Sequence, residues 1–309
     1  MTASENTEWL ARAEKVAAGI RLRVMEHTVR QNGGYLSQAC SSAELFAALY
    51  CRILHIAPAK EPLLPKKFGG TPGPGRPAAT GRAFNGSVLP EHDRFILSPA
   101  QYALVLYAAL IETGRLDEAG MEEYNADGGS VEMIGAEHSP GMEVTTGSLG
   151  QGISQAGGIA LAKRLRGESG RVVVMLSDGE CESGEFWEAV QAISYHRLDN
   201  MLLLVDRNGY QCDGRMDTVM NLEPFDRRLE AFGARVVTVD GNDLAQIAEA
   251  SEKRVPGKPL FVICRTDPTH GIDILKERYP KFHYVRFSDE GERERYRKEY
   301  KKLAEGAGR

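Results

Sequence analysis

The chain has 309 residues, 42% hydrophobic and 26% charged, with a net charge of −5. Those values fit a globular protein with a large core, and the acidic balance offers no footprint for nucleic acid. No apolar run approaches the roughly 20 residues of a membrane span, and the opening Met-Thr-Ala-Ser-Glu-Asn-Thr-Glu-Trp lacks the basic and apolar regions of a signal peptide, so a cytoplasmic protein is expected.

In chain order, residues 8–30 read as an amphipathic helix with a basic face. Ser41-Ser42-Ala43-Glu44 has the pattern of a capping box and predicts a second helix beginning at Leu45 and running to Tyr50. From Ala57 to His92 prolines and glycines replace any period, which predicts a long loop of the kind that serves as a lid over a site. Beyond Phe95 strand-like and helical runs alternate. Strands are expected at 94–97, 172–176, 201–205, 235–239 and 260–264, and helices at 100–112, 149–166, 184–196, 224–232 and 244–253. Residues 142–146 read as a weak strand. Such alternation implies an α/β fold: a mostly parallel sheet with helices on both faces. A charged helix over 288–305 closes the pattern, and 1–309 is expected to form one domain.

Five cysteines (Cys40, Cys51, Cys181, Cys212, Cys264) are odd in number and unclustered, as reduced thiols would be rather than a disulfide framework or a zinc site. Cys181 lies beside an Asp-Gly-Glu turn, where a reactive thiol is conceivable. The strongest chemical signal is that turn itself. The apolar run Val172–Leu176 leads into Ser177-Asp178-Gly179-Glu180, and thirty residues after Asp178 a second apolar run leads to Asn208. In a parallel sheet both residues would lie at carboxyl ends of strands, where open α/β folds bind ligands. An Asp, an Asn and a nearby main-chain carbonyl are hard oxygen donors that leave room for phosphate oxygens, the way magnesium holds a diphosphate. Gly147-Ser148-Leu149-Gly150-Gln151-Gly152 opens a helix and could admit a phosphate to backbone N–H groups. Its Gly-x-x-Gly-x-Gly order is not that of a dinucleotide fold, and close helix packing is the competing reason for its glycines.

Taken together, Gly147–Gly152, Ser177–Glu180, Gly184 with Trp187-Glu188-Ala189, Leu198-Asp199-Asn200 and Asp206–Gly214 resemble the N-terminal half of transketolase, from about Trp9 to about Tyr284. The resemblance implies the diphosphate-binding fold of thiamine-diphosphate enzymes. It implies that Asp178, Asn208 and the main-chain oxygen of Tyr210 ligate Mg²⁺ (or Ca²⁺ or Mn²⁺). It places Ser177, Gly179, Glu180 and the Gly147–Leu149 loop against the cofactor, and His283 near diphosphate and substrate. Three family histidines are replaced: Tyr35 and Gln101 stand in for two, with catalytic positions, and the third falls loosely near Met133, close to His138.

The family's second thiamine domain, which carries the activating glutamate, is expected on another polypeptide. The chain then reads as the N-terminal subunit of a split transketolase, inactive alone and part of a heterotetramer with a C-terminal, pyrimidine-binding subunit. The assembly would transfer a two-carbon ketol unit from a ketose to an acceptor, with substrates outside ordinary sugar phosphates. Delivery to a lipoyl or acyl-carrier thiol on a carrier protein, and a non-catalytic thiamine-domain scaffold, are the alternatives.

Overall fold

The computed structural model describes residues 3–308. Its centre is a five-stranded sheet of β1 (Arg94–Leu97), β2 (Val172–Ser177), β3 (Met201–Arg207), β6 (Arg235–Asp240) and β7 (Leu260–Arg265), ordered β1-β2-β3-β7-β6 with every pairing parallel. A small antiparallel hairpin, β4 (Tyr210–Gln211) and β5 (Gly214–Arg215), follows β3. The sheet is apolar on both sides because helices cover both. Successive residues of a strand point to opposite faces, so Val173 and Met175 join one core while Val172, Val174 and Leu176 join the other.

The first core is covered by α1 (Ala3–Gln31), α2 (Leu36–Ala48), α3 (Ala103–Glu112) and α8 (Leu244–Ala250), and the second by α4 (Gln151–Leu165), α5 (Gly184–Tyr195) and α7 (Phe225–Ala231). The short α6 (Met216–Val219) follows the hairpin, and α9 (Glu290–Gly306) packs along α1. Among the described residues no helix is long and apolar enough to cross a membrane.

Three expectations are corrected. The second helix does not begin at a capping box near Ser41; it begins at Leu36, after Asn32 takes a left-handed φ of 57° and Gly33 and Gly34 break α1. Every residue of α2 is buried, so no polar face exists to mark its start, and Ser41 and Ser42 turn inward. The helix expected from Ala100 opens with a 3₁₀ turn, Ala100–Tyr102, and becomes α-helical only at Ala103. No strand forms over 142–146; there Glu143 instead caps the start of β1, pairing with Arg94 and accepting from the Phe95 N–H.

The 57–92 segment is a loop apart from a 3₁₀ turn at Gly81–Asn85. It is tied to the 115–142 region: Leu63 bridges to Leu116, the Phe68 N–H donates to the Gly128 carbonyl, and the Phe68 ring lies 4.4 Å from that of His138. Gly81 fits only because it has no side chain, since a Cβ there would come within 1.6 Å of the Ser139 carbonyl oxygen.

Candidate functional site

Strands β2 and β3 run in register, Ser177 opposite Asp206, so that Asp178 and Asn208 leave the sheet side by side at its carboxyl edge. The Gly209 N–H donates to Asp178 Oδ2 at 2.7 Å, which joins the two strand ends directly. Asp178 Oδ1 is buried and has no hydrogen-bond partner. A buried carboxylate oxygen left unpaired is costly, and the environment shows that cost. Burial first, and the neighbouring Asp206 charge second, push the Asp178 carboxyl up to about 8 against the pull of the Gly209 N–H.

Asn208 is held on both ends of its amide. Nδ2 lies 3.3 Å from Asp206 Oδ2, and Oδ1 accepts from the Tyr210 N–H at 2.9 Å. Because a carboxylate only accepts, this contact fixes which end of the amide is nitrogen. Asp206 is fully buried and is the hub of the site. Its carboxylate accepts from Ser41 Oγ of α2 at 2.6 Å, from the Tyr102 hydroxyl at 2.8 Å, and from Thr266 beyond β7. Burial raises its pKa while these donors pull it down.

Glu180 is a second buried carboxylate. Its oxygens accept from the Ser177 N–H at 2.9 Å, the Ser98 hydroxyl at 2.5 Å and the Gly150 N–H at 3.2 Å. It therefore ties the ends of β1 and β2 to the turn before α4; burial pushes its carboxyl up to about 7. In that turn Gly150 has φ 88°, and a Cβ would come within 2.1 Å of Ser183 Oγ. Gly152 packs on β1's end, where a Cβ would meet Ser98 Cα at 2.9 Å. Close packing thus accounts for two of the motif's glycines.

Above these groups opens a cleft of about 590 Å³. Tyr35, Gln101, Leu149, Ser177, Asp178, Gly179, Glu180, Asn208, Tyr210 and His283 all line it. Gly147 and Ser148 do not: Gly147 lies against Ile134 and Ala100, and Ser148 is exposed. Gln101 carries a buried Oε1 with no partner. The rings of Tyr35 and His283 meet edge to face at 5.5 Å, and burial pulls the imidazole below its usual range. Neither His138 nor any residue of the 57–92 loop lines the cleft. Cys181 is fully buried, its Sγ directed at the Ser177 carbonyl, and burial pushes its thiol far up, which makes it inert rather than reactive.

Among the cleft-lining residues there is no lysine or arginine. The acids Asp178, Glu180, Glu182 and Asp213 face it without a cation of their own. Among the described residues no group of three His, Cys, Asp or Glu side chains could hold a metal by itself. A cation here would lean on one carboxylate, one amide, main-chain oxygen and oxygens of its ligand, which suits a magnesium diphosphate.

Sequence reasoning missed Gln38, Ser41, Ser98, Tyr102, Asp206 and Thr266. Only Asp206, an acid ending an apolar run two residues before Asn208, carried a usable signal.

The fold and the cleft define an α/β protein whose main cleft opens at the carboxyl edge of a parallel sheet. A family model described as the thiamine diphosphate binding domain of transketolase matches residues 83–278, and the chain belongs to that family. A transketolase family protein of Sinorhizobium fredii is 36% identical over 273 residues, 85% of this chain and 88% of that one. One of the subunits of the apulose-4-phosphate transketolase of Actinobacillus succinogenes is 29% identical, covering 90% of this chain and 93% of that one. A 6-deoxy-6-sulfo-D-fructose transketolase subunit of a Clostridium species is 31% identical, with coverages of 88% and 90%. Among solved structures, a transketolase mutant from Pichia stipitis aligns with a TM-score of 0.69 at 21% identity, over 96% of this chain and 45% of that one. Transketolase from Campylobacter jejuni gives 0.67 at 20% identity and covers 47% of its chain. The chain thus spans less than half the length of these solved transketolases, whose likeness to it is one of fold.

Proposed function

We propose that the chain is the diphosphate-binding subunit of a two-component, thiamine-diphosphate-dependent transketolase that acts in the cytoplasm. Residues 1–309 form its single domain, and a separate C-terminal, pyrimidine-binding subunit completes the active site, most simply in a heterotetramer. The observation that carries the reading is the unpartnered, buried Oδ1 of Asp178, a residue that lines, with Asn208, a cleft without lysine or arginine. Asp178, Asn208 and the Tyr210 main-chain oxygen would hold Mg²⁺, and Gly179 and Ser177 would flank the diphosphate. A side chain on Gly179 would crowd Gln211, with Cβ 3.1 Å from Cβ, so the bare backbone leaves the cleft floor open.

When bound, thiamine diphosphate supplies the nucleophilic carbon that cleaves the bond beside a ketose carbonyl and carries the two-carbon unit. The protein's part is position and charge. Asp206 orients Asn208, Glu180 fixes the strand ends, and Tyr35, Gln101 and His283 present hydrogen-bonding groups to substrate. Tyr35 and Gln101 offer hydrogen bonds, but Gln101 cannot move a proton near neutral pH. Of these three residues, His283 is the one whose side chain can exchange a proton near neutral pH. The names of the relatives, which act on apulose 4-phosphate and on 6-deoxy-6-sulfo-D-fructose, favour a donor or acceptor outside ordinary sugar phosphates.

Co-expression with the complementary subunit, followed by a ketol-transfer assay over a panel of ketoses and aldehydes, tests the proposal. Turnover is expected from the pair and from neither chain alone. Turnover by this chain alone, or only with a carrier thiol as acceptor, would overturn it.

A further inference from the structure

The cleft contains a device that neither the metal site nor the diphosphate accounts for. Gln38, in the first turn of α2, is 3% exposed and lies against the 282–283 segment. Its Nε2 donates to the main-chain oxygen of His283 at 3.0 Å and lies 3.4 Å from His283 Nδ1. The neighbouring Ser37 hydroxyl donates to the Phe282 carbonyl at 2.6 Å. Two consecutive residues of α2 thus clasp two consecutive residues of the returning chain.

This geometry determines the amide's orientation. A carbonyl oxygen can only accept, so the Gln38 atom facing it must be the NH₂ group. The second N–H of that same nitrogen is the one beside Nδ1. For that contact to be a hydrogen bond Nδ1 must offer a lone pair, which puts the proton of a neutral ring on Nε2.

We propose that Gln38 is a positioning residue that locks His283 as the neutral Nε2–H tautomer, so that the ring meets a ligand in the cleft as a hydrogen-bond donor. The remaining neighbours leave that assignment to Gln38. Tyr35 meets the ring edge to face, and Asp213 acts on it only through its charge. Burial of the ring opposes its protonation, so the neutral form is the one being oriented. The inference goes beyond the transketolase reading and does not need turnover to be tested.

The experiment is long-range ¹H–¹⁵N correlation on the full chain with ¹⁵N-labelled histidine, the His283 signals being identified by their loss in His283→Gln. In the wild-type chain at pH 7.5, Nδ1 is expected at an unprotonated shift and Nε2 at a protonated one. Gln38→Glu puts a carboxylate beside Nδ1; the expected result is transfer of the proton to Nδ1 and a titration midpoint higher by about one pH unit or more. Gln38→Ala should give a mixture of tautomers. A protonated Nδ1 in the wild-type chain overturns the proposal without any variant. So does a tautomer unchanged by both Gln38 substitutions. Either failure leaves the ketol-transfer reading standing, because that reading is tested by the turnover of the separate chains and of the reconstituted pair, not by the His283 tautomer.

Discussion

Removing the Asp206 carboxylate should expose how much of the site's rigidity depends on one side chain. In Asp206→Ala the Tyr102 hydroxyl, the Thr266 hydroxyl and Asn208 Nδ2 lose a common buried acceptor. Ser41 keeps a fallback, the Gln38 carbonyl 3.3 Å away. Three stranded donors at about 1–2 kcal/mol each come to about 3–6 kcal/mol. Against this, a buried anion with no paired cation disappears, which returns about 1–2 kcal/mol, so the net loss should be about 1–5 kcal/mol. Asp206→Asn keeps one acceptor oxygen, carries no charge, and lets the hydroxyls of Tyr102 and Thr266 rotate to accept. It should cost about 1 kcal/mol or less. Urea unfolding of the wild-type chain and both variants, in chelator, reads the order directly. Alanine and asparagine variants of equal stability, or an alanine variant as stable as the wild type, would refute the hub.

Two further outcomes concern the scaffold. His27 is 4% exposed, packs on Tyr124 and has a buried, unpartnered Nδ1; burial holds its pKa down at about 4 against 6.5 unfolded. The sign follows from linkage: above pH 6.5 neither state binds the proton, and as pH falls the unfolded chain takes it up while the folded chain does not. Stability relative to His27→Phe should therefore drop by about 2 kcal/mol between pH 7.5 and pH 5, and parallel pH curves for the two proteins would contradict the burial argument. Gly150→Ala forces a side chain into φ 88° and onto Ser183 Oγ, so its thermal midpoint should fall by the equivalent of about 1–3 kcal/mol; an unchanged midpoint would mean the turn before α4 is not constrained as described.

Much of this architecture is legible in the sequence, for a definite reason. The strands are buried on both faces, so they read as unbroken apolar runs; their observed starts match the expected ones, and four of the five run one or two residues further. Among those extra residues, Ser177, Asp206 and Arg207 are polar and look like loop, yet they still pair in the sheet. Helix α2 misleads because a wholly buried helix has no amphipathic period, and two serines inside it imitate a cap. Their hydroxyls in fact serve Asp206 and the Gln38 carbonyl. Asp178 and Asn208 are visible because each ends an apolar run. Gln38, Ser98 and Thr266 are not, since a polar residue that matters only through a partner distant in sequence leaves no local pattern. The long loop has the length and composition of a lid; its contacts instead fasten it to the 115–142 region.

The chemistry assigned to the cleft depends on Asp178 and Asn208 gripping a cation that anchors a diphosphate. The most direct measurement is calorimetric titration of thiamine diphosphate, with Mg²⁺ present, into the chain assembled with its partner, for wild type and Asp178→Ala. Changes behind a metal's direct ligands weaken binding about 10–100-fold, so loss of a ligand itself should exceed a hundredfold and remove the dependence on Mg²⁺. Equal affinity in both proteins, with the same requirement for the ion, would contradict it.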